Sequence, residues 1–197
     1  FSENVLWEMD SDIINPVHVL ELSSFQLEHI NSFSPVIAGL LNISEDHMDR
    51  YKDIHDYTDK KIKLTKNMTD SGLVIYNGDD PILFNAFRQH EHARFFSMQD
   101  HHNSHFKLNA SKIYSGSPDN PDILFELDET KLRGNHNIQN ILAAATMAHT
   151  FGISSKAIRD AITNFTPIPH RLERGSNING VDYFNDSEAT NVAATIA

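Results

Sequence analysis

The sequence predicts an α/β domain built on a mostly parallel sheet with packed helices. Short apolar runs alternate with helical periodicities, and the first apolar runs each end in polar residues. Val17–Leu20 and Pro35–Leu41 fit buried strands, followed by polar clusters at 21–24 and 42–47. Because ligands in open α/β sheets bind at the carboxyl ends of strands, a site is expected beside both clusters.

The later elements continue this alternation. A helix is predicted over Asp53–Met68 and a strand over Leu73–Tyr76, and the turn Asn77–Pro81 ends in a proline suited to opening a helix. From Ala93 to Leu132, short strands between Ser, Gly, Pro and Asp turns indicate an antiparallel flank. The remaining predicted elements are helices over Asn137–Phe151 and Ser154–Phe165 with Gly152 as a stop signal, strands over Leu172–Asn177 and Val181–Phe184, and a helix beginning near Ser187.

The break Thr166–Pro169 divides the chain into two units. Residues 1–167 are predicted to form the main domain. Residues 168–197 are predicted to begin a second domain, because so short a piece buries too little surface to hold a core of its own.

Composition narrows the class of protein. The 197 residues include 16 Lys+Arg against 27 Asp+Glu, a net charge of -11, which disfavours general nucleic-acid binding. The absence of cysteine excludes disulfides and thiolate metal sites. No apolar run approaches the ~20 residues of a membrane span, and the N-terminus lacks a signal-peptide pattern. A monomeric cytoplasmic protein that acts on small molecules is expected, with neither nucleic acid nor membrane as partner.

Lys61 lies on the apolar stripe of the predicted helix Asp53–Met68. One interpretation is a lysine whose amine reaches solvent along its own alkyl stem. The alternative is a lysine whose charge is paired or chemically removed, for example by carbon dioxide as a carbamate, because burial of a bare ammonium is costly.

Glu21 and His47 lie in the two polar clusters and are candidate metal ligands. Carboxylate oxygen suits Mg²⁺ or Mn²⁺, and imidazole suits a somewhat softer ion. A cap or a surface group is the alternative for each. Asn137 and Asn140 open an alanine-rich helix from one side, where they fit either a nucleotide contact or N-terminal caps. The histidines between His90 and His105 are interpreted as solvated surface, since their spacing matches no defined site.

Five motifs in order resemble the Mur ligase family, closest to its D-glutamate-adding members. They are Glu21–Glu28 (ELSSFQLE), Leu41–Arg50 (LNISEDHMDR), Gly134–Asn140 (GNHNIQN), Pro169–Glu173 (PHRLE) and Asn185–Asn191 (NDSEATN). The last motif discriminates best among the family's ligases. The resemblance implies the central ATPase domain of such a ligase, of the phosphate-loop type, followed by the start of a Rossmann-like C-terminal domain.

The resemblance implies an ATP-dependent amide ligase of peptidoglycan synthesis. ATP would phosphorylate the carboxylate of UDP-N-acetylmuramoyl-L-alanine, and the amine of D-glutamate would displace phosphate from that acyl phosphate, with Mg²⁺ offsetting charge. The implied catalytic metal ligands are Glu21, His47 and Lys61, the last as a carbamate. Other implied contacts are Asn137 and Asn140 to adenine, Arg171 to a nucleotide phosphate, Asp186 to ribose, Ser23 to the muramoyl substrate and Thr190 to D-glutamate.

Two departures from the family pattern qualify this expectation. The family's Gly-rich phosphate loop does not occur in the 197 residues, so the chain is expected to be an incomplete central domain with little ligase activity by itself. Glu188 stands where many relatives have lysine. The alternatives are another Mur or folate-extending ligase, and a non-catalytic metal- or nucleotide-binding module. A hydrolase using Glu21 and His47 is disfavoured, because no activated nucleophile accompanies them.

Overall fold

A computed structural model describes residues 17–99, 104–117, 120–171 and 173–187 of the chain. The predicted alternation of strands and helices is confirmed. In chain order the elements are α1 (Ser24–Glu28), β1 (Ile37–Leu40), α2 (Ile54–Ile62), β2 (Leu73–Asn77), α3 (Pro81–Phe87), β3 (Ala93–Ser97), β4 (Phe106–Asn109), β5 (Lys112–Ser117), β6 (Asn120–Glu126), α4 (Asn135–Thr150), α5 (Ser155–Asn164), β7 (Glu173–Ile178) and β8 (Val181–Asn185). Short 3₁₀ turns follow α2 at Lys63–Thr65 and β6 at Leu127–Glu129.

The main sheet has six strands in the order β1-β2-β3-β4-β5-β6. Strands β1 to β4 run parallel, and β5 and β6 continue the sheet antiparallel. The mostly parallel α/β class predicted from the sequence is therefore confirmed. The carboxyl ends of β1, β2 and β3 consequently meet at one edge of the sheet, which is where a ligand site is expected.

Strand β2 shows why the sheet has helices on both faces. Val74 and Tyr76 belong to one buried cluster with Leu83 of α3, whereas Ile75 belongs to the other with Leu142 of α4. Because successive side chains of a strand point to opposite faces, a continuous apolar run requires cover on both sides. Helix α3 packs against β2 on the first face, and α4 crosses strands β1 to β4 on the second.

Helix α4 stops at the predicted position. Gly152 adopts φ +100°, a conformation that suits glycine, and its N–H donates to the carbonyl of His149 at 3.0 Å. Ser154 then caps α5 by accepting a hydrogen bond from the N–H of Ala157. The two helices are thereby separated by a short turn, as the sequence predicts.

Helix α2 is shorter than its prediction. Asp53 caps it by accepting from the Asp56 N–H at 2.9 Å, as a helix starting there requires. The α-helix ends at Ile62, and the next turns close by i→i+3 bonds, from Lys66 N–H to Lys63 and from Met68 N–H to Thr65. The apolar spacing continues through this tighter turn, so periodicity alone overestimates the helix.

Two strand predictions need correction. Val17–Leu20 forms no strand, and Val19 is 93% exposed, because β-branched residues give strand propensity while a strand also needs a hydrogen-bonding neighbour. The stretch from Ala93 to Leu132 is antiparallel only in β5 and β6. Strand β3 is parallel to β2 because the helix α3 connects them as a crossover.

Strands β7 and β8 form a separate two-stranded antiparallel sheet, close to the predicted limits. All their described side chains are exposed, and Thr166–Pro169 before them contains neither helix nor strand. The helix predicted near Ser187 falls on residues 188–197, outside the described part. No helix within the described residues is long and apolar enough to cross a membrane.

Candidate functional site

A cavity of about 350 Å³ opens at the carboxyl ends of β1, β2 and β3, against the first turn of α4. Small-molecule pockets span roughly 300–1,000 Å³, so this cavity lies in the lower part of that range. Its polar lining includes Asn42, Asn77, Asp79, His136, Gln139 and Asn140. The cavity borders one of the two predicted polar clusters, through Asn42, and none of residues 21–24 lines it. Amide side chains dominate its polar wall.

Asp80 and Asp79 fix the wall that follows β2. Asp80 is buried and caps α3, since its Oδ1 accepts from the N–H groups of Ile82 and Leu83, each at 2.9 Å. Its Oδ2 accepts from the Ile43 N–H at 2.7 Å, which ties the loop after β1 to α3. Asp79 accepts from the Met98 N–H at 2.6 Å and thereby joins β2 to the end of β3. These bonds hold the three strand ends around the cavity.

The first turn of α4 forms the opposite wall. Gly134 is the residue before the helix and has φ +89°. His136 and Asn140, both near the start of the helix, line the cavity. The Asn137 amide instead donates to the Arg133 carbonyl at 2.7 Å. Asn137 and Asn140 therefore lie in the same helical turn, but only Asn140 borders the cavity. Neither is the N-cap, because the helix begins at Asn135.

His136 and Gln139 also line the cavity, although the sequence pattern gave neither of them a role. Together with Asn140 they occupy positions i, i+3 and i+4, which is one face of a helix. The Nδ1 atom of His136 is buried without a hydrogen-bond partner among the described residues. The spacing of positions 136, 139 and 140 in the sequence indicates this shared helical face.

Ser23 caps the short helix α1. Its hydroxyl accepts from the Gln26 N–H at 3.3 Å, and the Gln26 side chain accepts from the Ser23 N–H at 2.9 Å. This reciprocal pair is a capping box, so the local role of Ser23 is structural. Glu21 lies two residues earlier, outside any element, and is exposed.

His47 occupies a left-handed turn between β1 and α2. Its φ is 55°, and its carbonyl accepts from the N–H groups of Arg50 at 2.9 Å and Tyr51 at 3.2 Å. The imidazole packs against Phe25 with ring centroids 4.8 Å apart, and its Nε2 lies 3.6 Å from an Asp46 carboxylate oxygen. The side chain is 46% exposed. Phe25, the residue directly after the first polar cluster, thus contacts His47 of the second.

Glu28, at the end of α1, pairs with the same turn. Its carboxylate accepts from Arg50 Nη2 at 2.7 Å and from the Tyr51 hydroxyl at 2.8 Å. The hydrogen bond from Arg50, followed by that from Tyr51, lowers the pKa of Glu28 to about 2. Glu28 is therefore ionised at neutral pH, and α1 is held against the His47 turn.

Lys61 is half-buried in α2, with its Nζ 5.3 Å from the centroid of the Tyr57 ring. Tyr57 packs on Tyr51 with centroids 5.1 Å apart, and Tyr51 stacks at 6.2 Å on Phe25, which contacts His47. A row of three aromatic rings thus links Lys61 to His47. Within the described residues, no group of three or more His, Cys, Asp or Glu side chains is arranged to hold a metal.

The residues assigned to the end of the chain lie around the β7–β8 hairpin. Arg171 is exposed and Asp186 is half-buried, while Thr190 and Glu188 fall outside the described residues. His170, with φ 66°, receives a hydrogen bond from the Asn185 side chain at 2.8 Å, and its N–H donates to Glu173 at 2.9 Å. These contacts bring the motifs at 169–173 and 185–187 together.

The surface interpretation of the histidine-rich stretch is wrong at one end. His90 is exposed, but His105 is half-buried, with its Nε2 3.2 Å from the Nδ1 of His149 in α4. Desolvation, then the proximity of His149 and Arg94, lowers the pKa of His105 to about 4. The neutral imidazole is part of the contact between β4 and α4. His101 and His102 lie outside the described residues.

The sequence profile described as "Mur ligase middle domain" matches residues 11–148. That match covers more than half of the chain. The chain belongs to the Mur ligase family. The resemblance carried by the five motifs is thereby confirmed at the level of the family.

Curated relatives include proteins named UDP-N-acetylmuramoylalanine–D-glutamate ligase. The one from Koribacter versatilis is 37% identical over 179 residues, which are 90% of this chain and 40% of the relative. The one from Salinibacter ruber is 36% identical over 98% of this chain and 43% of its own length. The one from Haemophilus influenzae (strain PittEE) is 36% identical over 92% of this chain and 40% of its own length. The chain thus spans about two fifths of the length of these relatives.

Solved structures of Mur ligases share the fold. MurF from Acinetobacter baumannii matches with a TM-score of 0.64 at 18% identity, covering 83% of this chain and 36% of that one. MurF from Thermotoga maritima, solved in complex with ADP, matches with a TM-score of 0.56 at 18% identity, over 78% and 35%. At this identity the likeness establishes the fold alone.

Proposed function

We propose that the chain is the nucleotide-binding middle part of an ATP-dependent ligase that adds D-glutamate to UDP-N-acetylmuramoyl-L-alanine during peptidoglycan synthesis. The observation that carries the proposal is the cavity at the carboxyl ends of β1–β3, walled by amide side chains and by the start of α4. The names of the curated relatives support the choice of substrates.

The cavity suits a nucleobase with its phosphates directed along the sheet edge. Amides such as Asn42 and Asn140 present both donors and acceptors, which the edge of a purine requires. The N-terminal turn of the 16-residue helix α4 adds positive potential on the same side. In this assignment Asn140 contacts adenine directly, whereas Asn137 supports the turn through Arg133. Arg171 and Asp186 are proposed to contact a nucleotide phosphate and ribose.

A metal site at Glu21 and His47 is the second part of the proposal. An exposed carboxylate and an exposed imidazole are donor types that suit a divalent ion which retains water ligands. The resemblance adds Lys61 to this set as a carbamate, whose oxygen atoms suit such an ion, although Tyr57, Tyr51 and Phe25 form a row between the Lys61 amine and His47. Bound Mg²⁺ would offset the charge of the transferring phosphoryl group. Ser23 and Thr190 are assigned to the muramoyl and D-glutamate substrates.

Binding of adenosine to the chain tests the cavity without requiring a phosphate loop. Ligand-observed NMR on the 197-residue chain should give saturation transfer to adenosine, weakened about tenfold in affinity by Asn140→Ala through loss of one to two hydrogen bonds. Asn164→Ala is the matched control, because its amide donates to the Asp160 carbonyl on α5 and Asn164 does not line the cavity. Equal adenosine affinity in Asn140→Ala and the wild type would place the nucleotide elsewhere.

The choice of amino acid is tested on a longer protein that contains this chain. Amide formation with UDP-N-acetylmuramoyl-L-alanine should require D-glutamate in a panel of amino acids. Activity with another amino acid would instead favour a sister ligase of the family. Tight binding of ATP and Mg²⁺ with no amide formation under any condition would favour a non-catalytic binding module.

A further inference from the structure

Glu28 joins two segments that are distant in sequence. Its carboxylate receives Arg50 Nη2 at 2.7 Å and Nε at 3.3 Å, and the Tyr51 hydroxyl at 2.8 Å. The Glu28 side chain is only 18% exposed, although its partner Arg50 is 49% exposed. A charged, forked contact of this kind fixes geometry as well as supplying energy.

The backbone of Glu28 makes a third connection. Its carbonyl accepts from Lys63 Nζ at 2.6 Å, in the 3₁₀ turn directly after α2. Lys61 lies two residues earlier, in the last turn of α2. The end of α1 is therefore bonded both to the His47 turn and to the region that carries Lys61.

The two residues held by Glu28 are the same two that close the His47 turn. The backbone N–H groups of Arg50 and Tyr51 donate to the His47 carbonyl, while their side chains reach Glu28. A left-handed φ of 55° is unfavourable for a residue with a side chain, so this turn needs support from its surroundings. Glu28 supplies that support from outside the turn.

The imidazole itself is oriented through the same contacts. Phe25 lies one turn before Glu28 on α1 and packs against the His47 ring at 4.8 Å. The Arg50 guanidinium, positioned by Glu28, also lies 4.8 Å from the Phe25 ring centroid. Loss of the Glu28 carboxylate frees Arg50, and Phe25 then loses one of the groups that hold it against His47.

We propose that Glu28 is a positioning residue for His47: it holds Arg50 and Tyr51 so that the left-handed turn presents the imidazole to a divalent metal ion. This inference rests on the metal site of the proposed function. Glu28 itself has no place in that ligand set, because its carboxylate oxygens are occupied by Arg50 and Tyr51. Glu28 therefore affects metal affinity indirectly, by stabilising the conformation of the His47 turn.

The test compares Glu28→Gln with Glu129→Gln in the 197-residue chain. Glu129 is a matched control, because it receives two bonds from Arg159, at 3.0 and 2.6 Å, far along the chain at α5. Mn²⁺ affinity is measured by electron paramagnetic resonance, and the His47 turn by its amide-to-Hα coupling and ring chemical shifts in NMR. Tyr51→Phe is a milder second variant that removes only the hydroxyl bond to Glu28.

Glu28→Gln should weaken Mn²⁺ binding about tenfold or more and shift the His47 signals, while Glu129→Gln changes neither. Tyr51→Phe should shift both readouts in the same direction by less. Unchanged affinity and His47 signals in Glu28→Gln would overturn the inference, as would equal changes in Glu129→Gln. If His47→Ala leaves Mn²⁺ binding by the wild type unaltered, the metal site of the proposed function fails. The His47 NMR signals in Glu28→Gln then decide the positioning role alone.

Discussion

Asp80 is the residue whose replacement tests the cavity wall most directly. One carboxylate oxygen caps α3 through the N–H groups of Ile82 and Leu83, and the other receives the Ile43 N–H at 2.7 Å. Asp80→Ala removes both functions. Asp80→Asn separates them, because the amide oxygen can keep the cap while the amide NH₂ then faces the Ile43 N–H, and two donors cannot bond.

The expected losses follow from these contacts. Loss of an N-cap costs about 1 kcal/mol, and loss of a hydrogen bond to a charged, buried acceptor costs about 2 kcal/mol. Asp80→Ala should therefore lower the free energy of unfolding by about 3 kcal/mol, and Asp80→Asn by about 2 kcal/mol. Ser154→Ala, which removes a single cap bond from α5, should cost only about 1 kcal/mol.

Urea unfolding followed by circular dichroism gives the three free energies, and hydrogen exchange locates the change. In Asp80→Asn the Ile43 amide should lose protection, while the Leu83 amide in the first turn of α3 stays protected. If Asp80→Ala is no more destabilising than Ser154→Ala, the Ile43 bond contributes nothing and the tether is refuted. The same conclusion follows if Ile43 stays protected in Asp80→Asn.

Three further outcomes are expected. Because burial lowers the pKa of His105 to about 4 from an unfolded value of 6.5, the unfolded chain binds more protons between these values. The free energy of unfolding should therefore fall by about 2 kcal/mol from pH 7 to pH 5. In His105→Asn, the free energies from urea unfolding at the two pH values should lack this decrease. Leu142→Ala, at a fully buried position, should lower the free energy of unfolding by about 2–5 kcal/mol. Thr146→Val, which removes the hydroxyl that donates to the Leu142 carbonyl, should lower it by about 1 kcal/mol. Gly152→Ala should lower stability by about 1–2 kcal/mol through φ strain, because no described residue other than its chain neighbours comes within 4 Å of the added Cβ. Thermal melts at fixed pH check both of these.

The parts predictable from sequence are those that a local pattern determines. The turn at 77–81 places a proline after a capping aspartate, so the start of α3 follows directly. Gly152 similarly marks the end of α4. The strand prediction for Val17–Leu20 is wrong, because a strand needs a neighbouring strand to bond with and the local pattern does not reveal whether one is present. The prediction that His105 lies on the solvated surface is wrong for the same reason, because its partner His149 is 44 residues away in the sequence.

The site was predictable in place but only partly in detail. The end of β1 and the polar residues after it located the cavity edge, because parallel strands bring their carboxyl ends together, whereas the cluster at 21–24 follows no strand and does not line the cavity. The different directions of the Asn137 and Asn140 side chains were not predictable, since one helical turn offers both a backbone carbonyl and a cavity as partners. The support of His47 by Glu28 joins positions 19 residues apart, so neither motif alone contains it.

The loop between β1 and α2 connects the two halves of the proposed site. Asn42 borders the cavity, and the next residue, Ile43, is bonded to Asp80. At the other end of the loop, Arg50 and Tyr51 are bonded to Glu28 and enclose the His47 turn. Only six residues separate Ile43 from Arg50. A displacement of the backbone at one of these positions should therefore be transmitted to the other. In the proposed site, a nucleotide against Asn42 and a metal ion at His47 would therefore be linked by a short segment whose two ends are held by hydrogen bonds and one ion pair. Transfer of a phosphoryl group requires a fixed relation between nucleotide and metal.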